Sequence, residues 1–90
     1  MSINLSLVLP CYNEEKNIPF LCEEFLKLPF ENYKAELILV NNGSNDDTKN
    51  QINIAIKNNI SENVVIKLVN LDKNEGCGGG ISEGLKKADG

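Results

Sequence analysis

Leu37-Ile38-Leu39-Val40-Asn41-Asn42-Gly43-Ser44-Asn45-Asp46-Asp47 is the stretch whose reading decides the fold. Its opening apolar run, unbroken by a polar residue, reads as a short strand buried on both faces. Asn-Asn-Gly-Ser-Asn is among the strongest turn sequences. Ser44, Asn45 or Asp46 then caps a helix, and Asp46 and Asp47 suit that helix's positive end. Ile52, Ala55 and Ile56 supply its buried stripe. The stretch is therefore a strand that turns directly into a helix.

Working outward, the same unit recurs on the N-terminal side. Ile3 to Pro10 is a near-continuous apolar run, read as a buried strand. The polar turn Cys11-Tyr12-Asn13-Glu14-Glu15 follows it. Ile18, Leu21, Cys22, Phe25 and Leu26 then share one helical stripe. Asn17 is placed to cap this helix, Pro19 falls in its first turn, and Pro29 helps to end it. On the C-terminal side, Val64 to Val69 is a third strand, rich in β-branched residues. Asp72 to Gly80 reads as a glycine-rich loop and Ile81 to Ala88 as a short third helix.

Strands alternating with helices imply an α/β fold, a three-layer α/β/α arrangement with a parallel, Rossmann-like sheet and right-handed crossovers. The expected order places the first strand between the other two. Ligands of such sheets sit at the carboxyl ends of the strands. That edge carries Pro10 to Glu15, Asn41 to Asp46 and Asp72 to Gly80.

Composition narrows the classes. The 90 residues make one domain or part of one. The formal net charge is −4, with no histidine and no Lys/Arg cluster, which argues against a general nucleic-acid binder. Three cysteines, Cys11, Cys22 and Cys77, form an odd set with no CxxC spacing. Free thiols in a reducing cytoplasm are expected rather than a disulfide framework or a zinc site. The N-terminus lacks the basic flank of a signal peptide, and no apolar stretch approaches the roughly 20 residues that span a bilayer.

The glycines invite a nucleotide-binding reading, but the standard fingerprints fail on residues. A G-x-G-x-x-G beginning at Gly76 meets Ile81 where its last glycine belongs, and it follows the third strand rather than the first. A P-loop spanning Gly79 and Gly84 meets Leu85 where its lysine belongs. Taken alone, Gly78, Gly79 and Gly80 read as a flexible loop that permits a close backbone approach.

The three strand-end loops taken together say more. Leu7-Val8-Leu9-Pro10-Cys11-Tyr12-Asn13-Glu14-Glu15 resembles the opening strand and Pro-x-Tyr-Asn-Glu loop of the family-2 glycosyltransferases, which have the GT-A fold. Leu39-Val40-Asn41-Asn42-Gly43-Ser44-Asn45-Asp46-Asp47-Thr48 resembles that family's Val-Asp-Asp-Gly-Ser-x-Asp-x-Thr signature. Asn74-Glu75-Gly76, Gly78 to Gly80, Gly84, Ala88 and Gly90 resemble its third, glycine-bearing element. The resemblance covers essentially the whole chain. Asn41 and Asn42 depart from it, because the family carries aspartates at both positions.

The resemblance implies that residues 1–90 are the first half of a GT-A domain, which binds a nucleoside-diphosphate sugar and stops before the Asp-x-Asp metal element. Mg²⁺ or Mn²⁺ is expected for the full-length enzyme and none for this piece, whose Asp46-Asp47 belongs to a helix start. The parent enzyme would transfer the sugar, with inversion, to a glycan, lipid-carrier or protein acceptor in cell-envelope polysaccharide synthesis. It would do so in the cytoplasm or at the cytoplasmic face of the membrane. No catalytic residue is expected within the chain, which alone would be inactive. With further strands cut away beside the first, the piece is expected to self-associate. A Rossmann-like nucleotide-binding module, or a receiver-like or flavodoxin-like binding domain, is the alternative.

The donor-site candidates are Pro10, Tyr12, Asn13, Glu14, Asn42, Ser44 and Gly76. Tyr12 offers an aromatic face to a base, or else caps the core with its hydroxyl in water. Glu14 accepts from a ribose hydroxyl or base N–H, or is a solvated charge near a helix start. Asn13 suits the turn. Asn42, with both a donor and an acceptor, reads a base edge or forms the turn. Ser44 and Asp46 are read first as helix caps, and Gly76 allows a ligand to approach the backbone closely.

Overall fold

The computed structural model describes residues 3–28 and 33–89. The expected roles of Pro29 and Gly90 lie outside the described residues. The chain forms β1 (Leu5–Cys11), α1 (Ile18–Leu26), β2 (Ala35–Asn42), α2 (Thr48–Asn58), β3 (Val64–Leu71) and α3 (Gly76–Leu85). The strands pair in parallel throughout, with Leu7 opposite Leu37 and Leu37 opposite Ile66.

The sheet order is β1-β2-β3, so β2 rather than the first strand lies in the middle. Burial explains this correction. Every residue of β2 is buried, whereas β1 alternates and leaves Leu5 and Leu7 exposed. The strand with apolar cover on both faces takes the centre. Consecutive strands are also neighbours at both steps, so right-handed crossovers place α1 and α2 on the same face of the sheet.

That face holds the main core. Ile18, Cys22 and Phe25 from α1 and Ile52 from α2 pack on Leu37, Leu39 and Ile66, with Leu21 and Leu26 beside them. The helical stripe expected from Ile18 to Leu26 is thus the buried one. The period of two along β2 sends Ile38 and Val40 to the opposite face, where α3 lies.

The expected loop from Asp72 to Gly80 is mostly helix. Here α3 begins at Gly76, although five of its ten residues are glycine. Each glycine costs about 0.8–1.0 kcal/mol of helix propensity relative to alanine. Packing overrides that cost, because Gly80 and Gly84, one turn apart, are the buried residues of α3. A Cβ on Gly84 would come within 3.0 Å of both Val8 and Val40, and one on Gly80 would stand 3.2 Å from Pro10. The bare backbone lets the helix lie flat on the sheet.

At the amino end of the sheet, the buried Glu36 carboxylate accepts from Ser6 Oγ at 2.6 Å and from the Asp89 N–H at 2.5 Å. Its Oε2 lies 2.5 Å from Lys67 Nζ, which also reaches Asp89 at 2.8 Å. Burial alone would push the Glu36 carboxyl up, but Lys67, Ser6 and the Asp89 N–H together hold it below its ordinary value. Hydrogen bonds to Asp89 and then Glu36 raise Lys67. This cluster ties the chain after α3, at Asp89, to β1, β2 and β3.

Candidate functional site

The carboxyl ends of the three strands carry three loops that brace one another. Asn13 stands at φ 54°, a left-handed conformation that asparagine tolerates. This turns its N–H toward Ser44 Oγ at 3.0 Å and its Oδ1 toward the Asn45 N–H at 2.8 Å. The next amides continue the seam: Glu14 N–H donates to Thr48 Oγ1 at 2.8 Å and Glu15 N–H to Asp46 Oδ2 at 3.3 Å. Ser44 Oγ also contacts the Cys11 carbonyl at 3.5 Å. The first loop is thus fastened to the second mainly by bonds from main chain to side chain.

The cap position of α2 is Asp47, whose side chain bonds no helix amide, and not Ser44, Asn45 or Asp46 as expected; Asp46 stands one residue earlier, with Oδ1 accepting from the Thr48 N–H at 2.9 Å and from the Thr48 hydroxyl. Burial would raise the Asp46 carboxyl, but these bonds and the Glu15 N–H hold it below its ordinary value. Ser44 does not cap the helix; its hydroxyl serves the seam. Asn17 occupies the cap position of α1 without bonding the helix amides, and its Nδ2 instead donates to Glu14 Oε2 at 2.7 Å.

The third loop presses on the second at Gly43. Its φ is +70°, and a Cβ there would fall within 3.0 Å of the Lys73 and Asn74 main chain. Asn74 Oδ1 accepts from the Gly76 N–H at 2.7 Å. Asn42 completes the junction, accepting from the Glu75 N–H and donating to the Gly76 carbonyl, each at 2.9 Å. Asn41 is buried in a separate pair, donating to Asn70 Oδ1 at 2.7 Å.

Between the loops lies a cleft of about 310 Å³ lined by Pro10, Cys11, Tyr12, Glu14, Asn42, Asn74 and Cys77. Four candidates, Pro10, Tyr12, Glu14 and Asn42, are therefore brought together. Asn13 and Ser44 stand behind the wall as braces, and Gly76 supports it at the start of α3. Tyr12 is 44 % exposed, and its hydroxyl contacts Asn45 Nδ2 at 3.4 Å. The ring is thus held at its far end while remaining open to the cleft.

The reading from sequence missed Cys11, Asn74 and Cys77. Asn74 lay within the third quoted element, so a signal was present. Nothing in the pattern distinguished the cysteines. Burial first, then the charge of Glu14 and the Cys22 thiol, pushes the Cys11 thiol up to about 11, so it stays protonated and is no nucleophile.

All three cysteines are free. Among the described residues no three His, Cys, Asp or Glu side chains converge on a point that could hold a metal ion. Without such a converging set, Glu14, bonded to Asn17, and Asp46, bonded to Thr48, do not make a Mg²⁺ or Mn²⁺ seat. Among the described residues no helix is long and apolar enough to cross a membrane.

Parallel strands with helices on both faces define an α/β domain, and its braced cleft lies at the carboxyl ends of the strands, where sheets of this kind take their ligands. The family model for glycosyl transferase family 2 matches residues 6–90, and the chain belongs to that family. It is 38% identical over 87 residues to the undecaprenyl-phosphate 4-deoxy-4-formamido-L-arabinose transferase of Proteus mirabilis (strain HI4320), covering 96% of this chain and 26% of the relative. It is 31% identical over 90 residues to the dolichyl-phosphate beta-glucosyltransferase of Dictyostelium discoideum, covering 93% of this chain and 27% of the relative. The crystal structure of S. aureus TarS 1-349 superposes with a TM-score of 0.79 at 30% identity, covering 98% of this chain and 25% of that one. The chain spans about a quarter of the length of the two relatives and of the TarS 1-349 chain.

Proposed function

We propose that this chain forms the donor pocket of a glycosyltransferase, which takes the sugar of a nucleoside diphosphate and passes it, with inversion, to a glycan, lipid-carrier or protein acceptor. One observation carries the reading: an open aromatic ring, Tyr12, stands at a cleft built from the carboxyl ends of three parallel strands. Tyr12 stacks on the nucleobase and Glu14 accepts from the ribose. Pro10 shapes the floor, while Asn13, Ser44, Asn42 and Gly76 hold the walls. Mg²⁺ or Mn²⁺ is the expected partner of the diphosphate in the whole enzyme. The free thiols support a cytoplasmic setting.

The test is titration of UDP, GDP and dTDP into the chain and its Tyr12→Ala variant, followed by NMR so that millimolar binding registers. Base stacking contributes about 1–3 kcal/mol, so the variant should bind roughly 5- to 150-fold more weakly. Unchanged affinity for every nucleotide would leave Tyr12 as a rim residue and remove the main support for the donor pocket.

Self-association is proposed on a separate observation. β1 is one of the two outer strands among the described residues, with Leu5 48 % and Leu7 38 % exposed. A second copy pairing there would cover both the edge and these side chains. Light scattering should show a dimer at high concentration; a monomer would contradict the proposal.

A further inference from the structure

Asn42 lines the cleft, yet its amide is committed to the protein. The residue is only 3 % exposed. Its Oδ1 accepts from the Glu75 N–H and its Nδ2 donates to the Gly76 carbonyl, both at 2.9 Å. One amide thus matches a backbone donor and a backbone acceptor on consecutive residues, across the gap between the end of β2 and the start of α3. The helix then closes over it: a Cβ on Gly80 would stand 3.0 Å from Asn42 Nδ2, so glycine at that turn admits the side chain.

We propose that Asn42 is a positioning residue, which sets the third wall of the donor pocket by clasping Glu75 and Gly76 and does not select the nucleobase. The proposal rests on the donor-pocket reading above. An amide suits this junction because it both donates and accepts. A carboxylate of the same shape would still accept from Glu75. Toward Gly76, however, it would set two acceptors 2.9 Å apart with no proton between them. Asparagine, where the sequence pattern has aspartate, is therefore fitted to this wall, and base preference must arise from other residues.

The test has two arms. The first is hydrogen exchange by NMR on the unliganded chain, followed at the Glu75 N–H and the Asn42 side-chain amide. Both should be protected, and Asn42→Ala should speed exchange at Glu75 by roughly 2- to 10-fold, as expected for one neutral hydrogen bond. Free exchange of both groups in the unaltered chain would overturn the clasp.

The second arm titrates UDP, GDP and dTDP into the unaltered chain, Asn42→Asp and Asn42→Ala. Both variants should weaken all three nucleotides by the same factor, within about twofold. A changed order of preference in either variant, with Glu75 still protected, would show that Asn42 reads the base and would overturn the proposal. If Asn42→Asp does not fold, Asn42→Ala decides the comparison by the same criterion. If no nucleotide binds the unaltered chain, the donor-pocket reading fails, and the pocket half of this proposal with it. The exchange arm then still accepts or rejects the clasp itself.

Discussion

Lys67→Met should be among the costliest single substitutions in this chain, although Lys67 lies in the middle of β3 and outside the lining of the cleft. It removes the cation that faces Glu36, a carboxylate with no exposed surface. Removing one partner of a buried ion pair costs about 3–5 kcal/mol. The Lys67 side chain is 31 % exposed, and Ser6 and the Asp89 N–H continue to serve the carboxylate. Those features lower the expected loss to about 2–4 kcal/mol. A 90-residue domain has only about 5–13 kcal/mol of stability in all. Urea unfolding at pH 7 measures the loss directly.

The pH dependence gives the sharper check. In the native protein the Glu36 carboxyl is held below its ordinary value of 4.5. Its contribution to stability is therefore complete above about pH 4.5 and is lost as pH falls through the lower folded value. Without Lys67, burial dominates and pushes the same carboxyl up. The variant should then recover stability as acid neutralises the group, so the gap between the two proteins should narrow on acidification. Lys67 itself is raised from 10.5, so its contribution is complete at pH 7 and is lost only as alkaline pH passes its folded value. A loss below about 1 kcal/mol, or a gap that stays constant from pH 7 to pH 4, would refute the claim that Glu36 is a buried charge dependent on Lys67.

Gly43→Ala should destabilise by more than about 2 kcal/mol, since it combines a positive φ with overlap of the third loop's main chain; the thermal midpoint measures this. The helical glycines should divide. Gly84→Ala meets Val8 and Val40 and should cost about 1–3 kcal/mol, whereas Gly78→Ala meets nothing within 4 Å and should gain about 0.5–1 kcal/mol. If both alanines stabilise, α3 does not rest on the sheet through Gly84. Ser44→Ala removes the acceptor of the Asn13 N–H and should cost about 1 kcal/mol in denaturant unfolding; no loss would mean that the seam between the first two loops does not depend on it.

Much of the fold was legible because its signals are local. The stripe from Ile18 to Leu26, the apolar runs of the strands and the turn at Asn41 to Asn45 follow from periodicities of 3.6 and 2 and from turn chemistry over a few residues. The cleft was legible for the same reason: in a parallel sheet the loops after each strand must share one end, so Pro10, Tyr12, Glu14 and Asn42 had to meet there. The illegible parts depend on what lies across space. A run of glycines has the propensity of a loop, and it becomes helix because Val8, Val40 and Pro10 on neighbouring strands leave room for no side chain at Gly84 and little at Gly80.

The sequence by itself determined the alternation of strand and helix, the parallel sheet, the end of that sheet where ligand chemistry belongs, and the family. These follow from local patterns, each complete within one element and the turn that follows it. Only the tertiary structure decided that β2 takes the centre, that Ser44 fastens loops instead of capping a helix, that Asn42 commits its amide to Glu75 and Gly76, and that the buried Glu36 finds Lys67 as its partner. Each of these joins residues about 30 positions apart in the chain. A side chain's hydrogen-bonding capacity can be read from its identity, but its partner exists only once the layers have packed and excluded water as the alternative.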